Sequence, residues 1–404
     1  MRRLVAVIFL SISAFSFVSA QTTKESSPQL RQKTFEKVWQ TVNDKYFDAK
    51  FGGVDWRQVH ERYAPQAAKV KTDAEFHQLL NKMLSELKVS HMGILTPETL
   101  EKLKQPPTAT GLSLREIENQ IVVTRLIEDS SALEAGIRCG FVVKKIDGEP
   151  IKTLEDALLK LSGAPNTTLL LSYLNEKDEL HETSLERRTL ANTDKSKIVG
   201  GASLHALFEA KRLIDNIGYI RFSSFIAALN PKIEATIGSM KDAPGIIIDL
   251  RGNGGGDDDV AIKMAGFLFD RETQLMITKT RRGDDFYYKA KPQKTQYVGK
   301  IAILVDELSG SASEQLAAGM QEAKRAVVIG KRTQGDDMDA DLMKLPNGAY
   351  LIYAAGEPRT PKGVVIEGRG VIPDMQVNLT RKDLLAGRDT QLEAAIEYIK
   401  IDNR

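Results

Sequence analysis

Gly245-Ile246-Ile247-Ile248-Asp249-Leu250-Arg251-Gly252-Asn253-Gly254-Gly255-Gly256 decides the class of fold. Its first half is an unbroken apolar run, the pattern of a strand buried on both faces. Its second half is a glycine-rich loop, and helical periodicity resumes at about 258–268. Further along, Lys300–Val305 and 326–329 repeat the buried-strand pattern, with a helical stretch at 313–321 between them. From about Ile217 onward, strand and helix therefore alternate, which predicts helices packed over a sheet. The polar, aromatic stretch 281–296 reads as a surface loop or hairpin.

Towards the amino terminus the texture changes. Phe35, Val38, Trp39 and Val42 recur at helical spacing. Thr72-Asp73-Ala74-Glu75 is a capping box, opening a helix that carries Phe76, Leu79, Leu80, Met83, Leu84 and Leu87 and ends near Lys88. Pro106-Pro107-Thr108 marks a linker. Residues 109–190 then read as a small, mostly β domain. Strands are expected at 121–123, 142–148 (running into a turn) and 168–173, with short helices at 131–137 (stopped by Gly136) and 153–161. The expected division is 1–20 signal peptide, 21–105 helical domain, 106–190 β domain and 191–404 α/β core.

A chain of 404 residues exceeds one ordinary core, so several domains are expected. Lys plus Arg number 56 against 54 Asp plus Glu, a net charge of +2, which gives no electrostatic case for a nucleic-acid partner. Arg2 and Arg3, the apolar run 4–18 and Val18-Ser19-Ala20 have the form of a secretory signal peptide cleaved before Gln21. An uncleaved anchor would need about 20 apolar residues. The expectation is export to a periplasm or beyond the cell, with no stable membrane insertion after cleavage. Cys139 is the sole cysteine, so no intrachain disulfide can form; it reads as a buried structural thiol.

Three segments carry chemistry. The loop 252–256 follows a buried strand and precedes a helix, so its N–H groups can face an anion; it lacks the residues of a P-loop and serves equally well as a tight turn. Asp306-Glu307-Leu308-Ser309-Gly310-Ser311-Ala312-Ser313-Glu314-Gln315 also runs from strand to helix, where a sharp turn can present Ser311 as a nucleophile. Taken alone, helix capping by these serines and Glu314 is the better account. Val89-Ser90-His91-Met92 places one of five histidines beside a hydroxyl in a helix-to-strand turn. His60 and His77 lie in amphipathic helices, His181 and His205 in polar connections. The acidic runs 257–259 and 336–337 suggest calcium, but their spacing is not that of an EF-hand, and Asp at a helix start is the plainer reading.

Together these segments resemble the S41 peptidases, the class of carboxyl-terminal processing (tail-specific) proteases and the tricorn core. The resemblance rests on Ile248-Asp249-Leu250-Arg251-Gly252-Asn253-Gly254-Gly255-Gly256, Ser311-Ala312-Ser313-Glu314 and Ile366-Glu367-Gly368-Arg369-Gly370-Val371-Ile372-Pro373-Asp374. It extends to the amino-terminal helices and to a PDZ-like middle, where Ile146-Asp147-Gly148 matches the usual turn and Cys139-Gly140-Phe141 departs from the usual Gly-Asp. The fold it implies is mixed α/β: a helical domain, a PDZ-like β domain and a ClpP/crotonase-like core. Many members pair the serine with a lysine in Thr-x-Gly-Lys. Here the segment reads Thr333-Gln334-Gly335-Asp336, so that dyad fails. The tricorn-like branch instead uses a Ser-His pair, the nucleophile and a late Glu, which implies Ser311 as nucleophile, His91 as base, and Ser90 and Glu367 as orienting groups. Gly255 and Ala312 would be oxyanion donors, and Gly111, Leu112, Ser113 and Leu114 would hold a substrate carboxylate. The resemblance implies a serine endopeptidase acting on protein or peptide C-termini, with no metal or cofactor and with an oligomer admissible. The competing expectation is a non-catalytic ligand-binding homologue of the same fold.

Overall fold

A computed structural model describes residues 25–401; the expected signal peptide lies outside them. Among the described residues no helix is long and apolar enough to cross a membrane. The chain divides into two compact units: residues up to Lys104 with Asp194–Met375, and Gln105–Thr193 with the residues from Gln376 onward.

In the first unit the buried runs become strands, as their composition predicts. Gly218–Phe222, Gly245–Asp249, Lys300–Val305 and Val327–Gly330 lie side by side in parallel, and Phe208–Arg212 adds antiparallel to the first. Parallel neighbours need crossovers, and the helices Asn230–Ser239, Asp258–Gly266 and Ala312–Glu322 supply them. Their buried faces meet the sheet in one core containing Ile246, Ile248, Met264, Leu316 and Met320.

A second sheet in this unit joins Gly93–Leu95, Asp339–Lys344, Tyr350–Arg359, Thr273–Thr280 and Phe286–Ala290, all antiparallel. The last two form a hairpin; its turn and second strand fall in the stretch 281–296 expected as a surface loop or hairpin, and its first strand precedes that stretch. The amino-terminal helices Pro28–Lys45, Trp56–Ala67 and Asp73–Leu84 cover this sheet. Phe35, Val38, Trp56, Phe76 and Leu80 share a core with Leu351, Tyr353 and Ala354. The helical segment thus has no core of its own, and its strongest apolar residues are spent on a strand more than 250 positions downstream. Thr72 and Glu75 make the expected reciprocal cap.

The second unit is an antiparallel sheet in the order Leu112–Ile117, Gln120–Leu126, Val142–Ile146, Thr168–Leu174, Leu180–Glu186. The first hairpin turns on Glu118 and Asn119, both with positive φ, as a two-residue turn matched to strand twist requires. The helices Ser131–Glu134 and Leu154–Leu161 are capped by Ser130 and Thr153. Residues from Gln376, expected with the carboxyl-terminal core, pack in this unit instead. Leu384 is buried with Ile117, Val122 and Val142. Arg381 donates to the carbonyls of Gly140 (3.0 Å) and Asn175 (2.8 Å) and pairs with Asp178 (2.6 Å). A Cβ at Gly140 would meet Leu385 Cγ at 2.6 Å, so the docked segment demands glycine there. Cys139 is half-buried, its Sγ donating to Thr124 O at 3.4 Å, and burial raises its thiol pKa.

Candidate active site

The helix Asp73–Leu84 is followed by a single tighter turn, and Lys88 adopts a left-handed conformation that ends it. Ser90 and His91 fill the turn into Gly93–Leu95, and His91 is also left-handed (φ 57°) and buried. Left-handed backbone is uncommon for a non-glycine residue and persists where surrounding structure holds it. Here the holding is done by the pairing of Gly93–Leu95 with Tyr350–Ile352 and by Asn81 Oδ1, which accepts from Ile94 N at 2.9 Å.

Glu367, in the irregular chain after the long strand, reaches this turn. Its Oε1 accepts from Ser90 N at 2.6 Å and its Oε2 from Ser90 Oγ at 2.8 Å and from Asp337 N at 2.8 Å. Ser90 Oγ also lies 2.7 Å from His91 Nδ1. A serine hydroxyl has one proton to give. Given to the Glu367 carboxylate, it leaves Ser90 Oγ to accept from His91 Nδ1–H. The imidazole is then the tautomer whose Nε2 carries the lone pair, the form a general base needs.

Ser311 sits where Lys300–Val305 has turned into the helix Ala312–Glu322. Its backbone is strained (φ 51°, ψ −123°), in a region that costs on the order of 1–3 kcal/mol. Gly255 explains how the glycine loop lies so near: a Cβ there would stand 2.7 Å from Ser311 Cβ and 3.0 Å from Ala312 N. The first N–H groups of a helix lack intrahelical partners, and among the described residues none accepts from that of Ala312. Gly255 departs from its expected role. Its N–H donates to Asn253 Oδ1 at 2.9 Å, because the buried Asn253 side chain, bonded to Phe222 O at 3.0 Å, turns back into its own loop. In this conformation that donor is engaged.

The segment 336–338 stitches the two halves together. Ser311 N donates to Asp336 O at 3.0 Å, Asp337 N to Glu367 at 2.8 Å, and Met338 N to Ser90 Oγ at 3.3 Å. Asp336, standing where a Ser–Lys member has its lysine, is pushed up to about 6, by burial first and by Glu367 next. Burial pushes the Asp337 carboxyl well above the usual carboxylate range, with Glu314, Asp339, Asp258 and Glu367 adding to it. Asp257 accepts from Asp259 N at 3.0 Å as a helix cap. Among the described residues no group of acids, histidines or cysteines is arranged to hold a metal.

Ser90, His91, Ser311, Ala312, Gly255 and Glu367 all belong to the first unit; Gly111, Leu112, Ser113 and Leu114 belong to the second. Gly111 has φ 95° and abuts Ser130, whose Cβ would lie 2.1 Å from an added Cβ. Three of the other four histidines are occupied elsewhere: His60 bonds Glu36 at 3.0 Å, His77 Asn347 at 3.1 Å and His181 Asn175 at 2.9 Å. Sequence reasoning passed over Asn253 and assigned Glu314 only to helix capping. Both stood inside the quoted motifs, but each also has partners on other segments, Phe222 for Asn253 and Thr333, Gly335 and Asp336 for Glu314.

Residues 216–377 match the family model "Peptidase family S41" and residues 27–85 match "Tricorn protease C1 domain". A carboxyl-terminal-processing protease of Synechocystis sp. is 26% identical over 384 residues, covering 91% of this chain and 86% of that protein. A chloroplastic C-terminal processing peptidase of Tetradesmus obliquus is 25% identical over 372 residues, covering 86% and 77%. The solved photosystem II D1 C-terminal processing protease superposes with a TM-score of 0.62 at 23% identity, covering 92% of this chain and 98% of that one, a likeness of fold. Residues 216–377 match the S41 peptidase family, and with relatives aligned along nearly the whole chain the protein is a serine-type peptidase similar to the carboxyl-terminal processing proteases.

Proposed function

We propose that this peptidase is exported, periplasmic or secreted, and cleaves proteins or peptides with unstructured C-termini using Ser311 as nucleophile and His91 as base. The observation that carries the reading is the bonded set Glu367–Ser90–His91, tied through 336–338 to the Ser311 turn. His91 Nε2 takes the Ser311 Oγ proton as Oγ bonds the scissile carbonyl carbon. His91 then gives that proton to the leaving amine as the C–N bond breaks. Water, deprotonated in the same way, releases the acyl group. Ser90 and Glu367 hold the imidazole and stabilise its charged form. Ala312 N–H is one oxyanion donor; Gly255 becomes the second once its peptide turns from Asn253.

The second unit acts as the PDZ-like part. An extended tail would add beside the edge strand Leu112–Ile117, its carboxylate at the Gly111–Leu114 loop. The fold's open edge there and the glycine at the turn support this. The test is mass spectrometry of an unfolded protein with a loose C-terminus after incubation with mature wild type, Ser311→Ala and His91→Ala. Products from wild type alone are expected, since loss of the nucleophile costs roughly 10⁴–10⁶ in rate. Equal cleavage by wild type and Ser311→Ala would sink the assignment.

A further inference from the structure

Glu314 has the sequence position of a helix cap, but its surroundings exceed that task. The residue is fully buried, and its carboxylate takes four donors. Oε2 accepts from Ser311 N at 3.0 Å and Asp336 N at 3.1 Å. Oε1 accepts from Gly335 N at 2.8 Å and from the Thr333 hydroxyl. Thr333 Oγ1 accepts in turn from Val371 N at 2.6 Å, and Gly335 O accepts from Gly368 N at 2.7 Å. One side chain therefore joins three stretches: the Ser311 turn, the loop 333–336 and the segment 367–371 that carries Glu367.

We propose that Glu314 is a positioning residue for the reaction: its carboxylate fixes the strained Ser311 turn in register with the Glu367–Ser90–His91 set. The inference rests on the reading of Ser311 as nucleophile. Capping needs an acceptor for a helix's own first-turn N–H groups; three of these four donors come from Thr333, Gly335 and Asp336, outside the helix. Each oxygen receives two donors, which only a carboxylate can do, since an amide has a single acceptor oxygen. Asp337 lies in the same buried acidic cluster with neither oxygen hydrogen-bonded among the described residues. Burial pushes Glu314 up to about 7 and Asp337 well above the usual carboxylate range; the four donors favour the charge on Glu314, and the proton falls to Asp337. Loss of the Glu314 acceptor frees Ser311 to relax from its strained conformation, and a misplacement of about 1 Å at a reacting group costs roughly 10² in rate.

The test is Glu314→Gln in the full mature chain, with Arg325→Ala as a control. Arg325 ties the carbonyls of Leu268, Tyr297 and Gly299. Labelling of Ser311 in wild type by a fluorophosphonate is measured first; failure there removes the nucleophile assignment itself and this inference with it. With wild type labelled, the expected result is that Glu314→Gln lowers both the labelling rate and kcat by about 10², with KM little changed. Arg325→Ala, although its melting temperature falls, keeps kcat. A Glu314→Gln protein whose kcat and labelling match those of Arg325→Ala overturns the proposal. If Glu314→Gln does not fold, Thr333→Val decides. A kcat loss restored by Thr333→Ser supports the role, and an unchanged kcat refutes it.

Discussion

Glu367→Gln changes one atom and should disable the enzyme without unfolding it. The carboxylate accepts three hydrogen bonds: Ser90 N on one oxygen, Ser90 Oγ and Asp337 N on the other. An amide can present its oxygen to only one side. Facing Ser90 N, it sets its NH2 against Asp337 N–H and Ser90 Oγ; facing the other pair, it sets its NH2 against Ser90 N–H. Either arrangement strands a backbone donor, at about 1–3 kcal/mol. The first also reverses the proton order. Ser90 Oγ, now receiving from the amide, passes its own proton to His91 Nδ1, and Nε2 must then carry the ring proton. A base locked in the wrong tautomer loses up to about 10⁴ in kcat, the figure known for the equivalent acid-to-amide change in a Ser-His-Asp triad. The assay is kcat and KM on the unfolded substrate, together with nitrogen NMR of the imidazole. The expected outcome is a kcat loss of about 10²–10⁴ with KM retained and a shift of the ring proton to Nε2. Wild-type kcat in Glu367→Gln, or an unmoved tautomer beside a lost kcat, would refute the proton order argued here.

Three further outcomes follow from the structure. Gly255→Ala places a Cβ 2.7 Å from Ser311 Cβ at φ 105°, so kcat should fall by at least the roughly 10²-fold cost of a small misplacement, while circular dichroism shows the fold retained; normal turnover would contradict the close approach. Asp336 and Asp337 have folded pKa values raised above the ordinary aspartate value of 3.8. The folded state therefore binds more protons than the unfolded state, and their contribution to stability is full below about 3.8 and lost as pH rises, for Asp336 through about 6. Melting temperatures of Asp336→Asn and Asp337→Asn should accordingly fall less than that of wild type between pH 4 and pH 8, and parallel curves would count against the assignment. Arg381→Ala removes two carbonyl contacts and the Asp178 pair and should cost about 1–3 kcal/mol. Hydrogen exchange should then quicken in 376–401 and at Gly140, with catalytic-unit amides unaffected.

By itself the sequence determined the local elements and the chemistry on offer. Apolar runs such as 245–250 could only be buried strands, and Thr72 with Glu75 could only open a helix. The motifs around Gly252–Gly256, Ser311 and Glu367 named a family because each is a contiguous string. What tertiary structure decided was every contact between distant positions. The strand Gly93–Leu95 is three residues long, too short to show a period, and only its pairing with Tyr350–Ile352 sets the Ser90–His91 turn. Asn253 and Glu314 stood in plain view inside their motifs, but a side chain's hydrogen-bond partners are chosen by the fold. The first takes the N–H expected to serve an oxyanion, and the second gathers donors from the Ser311 turn and the loop 333–336. Likewise the residues after Gln376 continue the core in sequence but bury Leu384 in the other unit, since an amphipathic helix carries the need for an apolar partner without specifying which one it will meet.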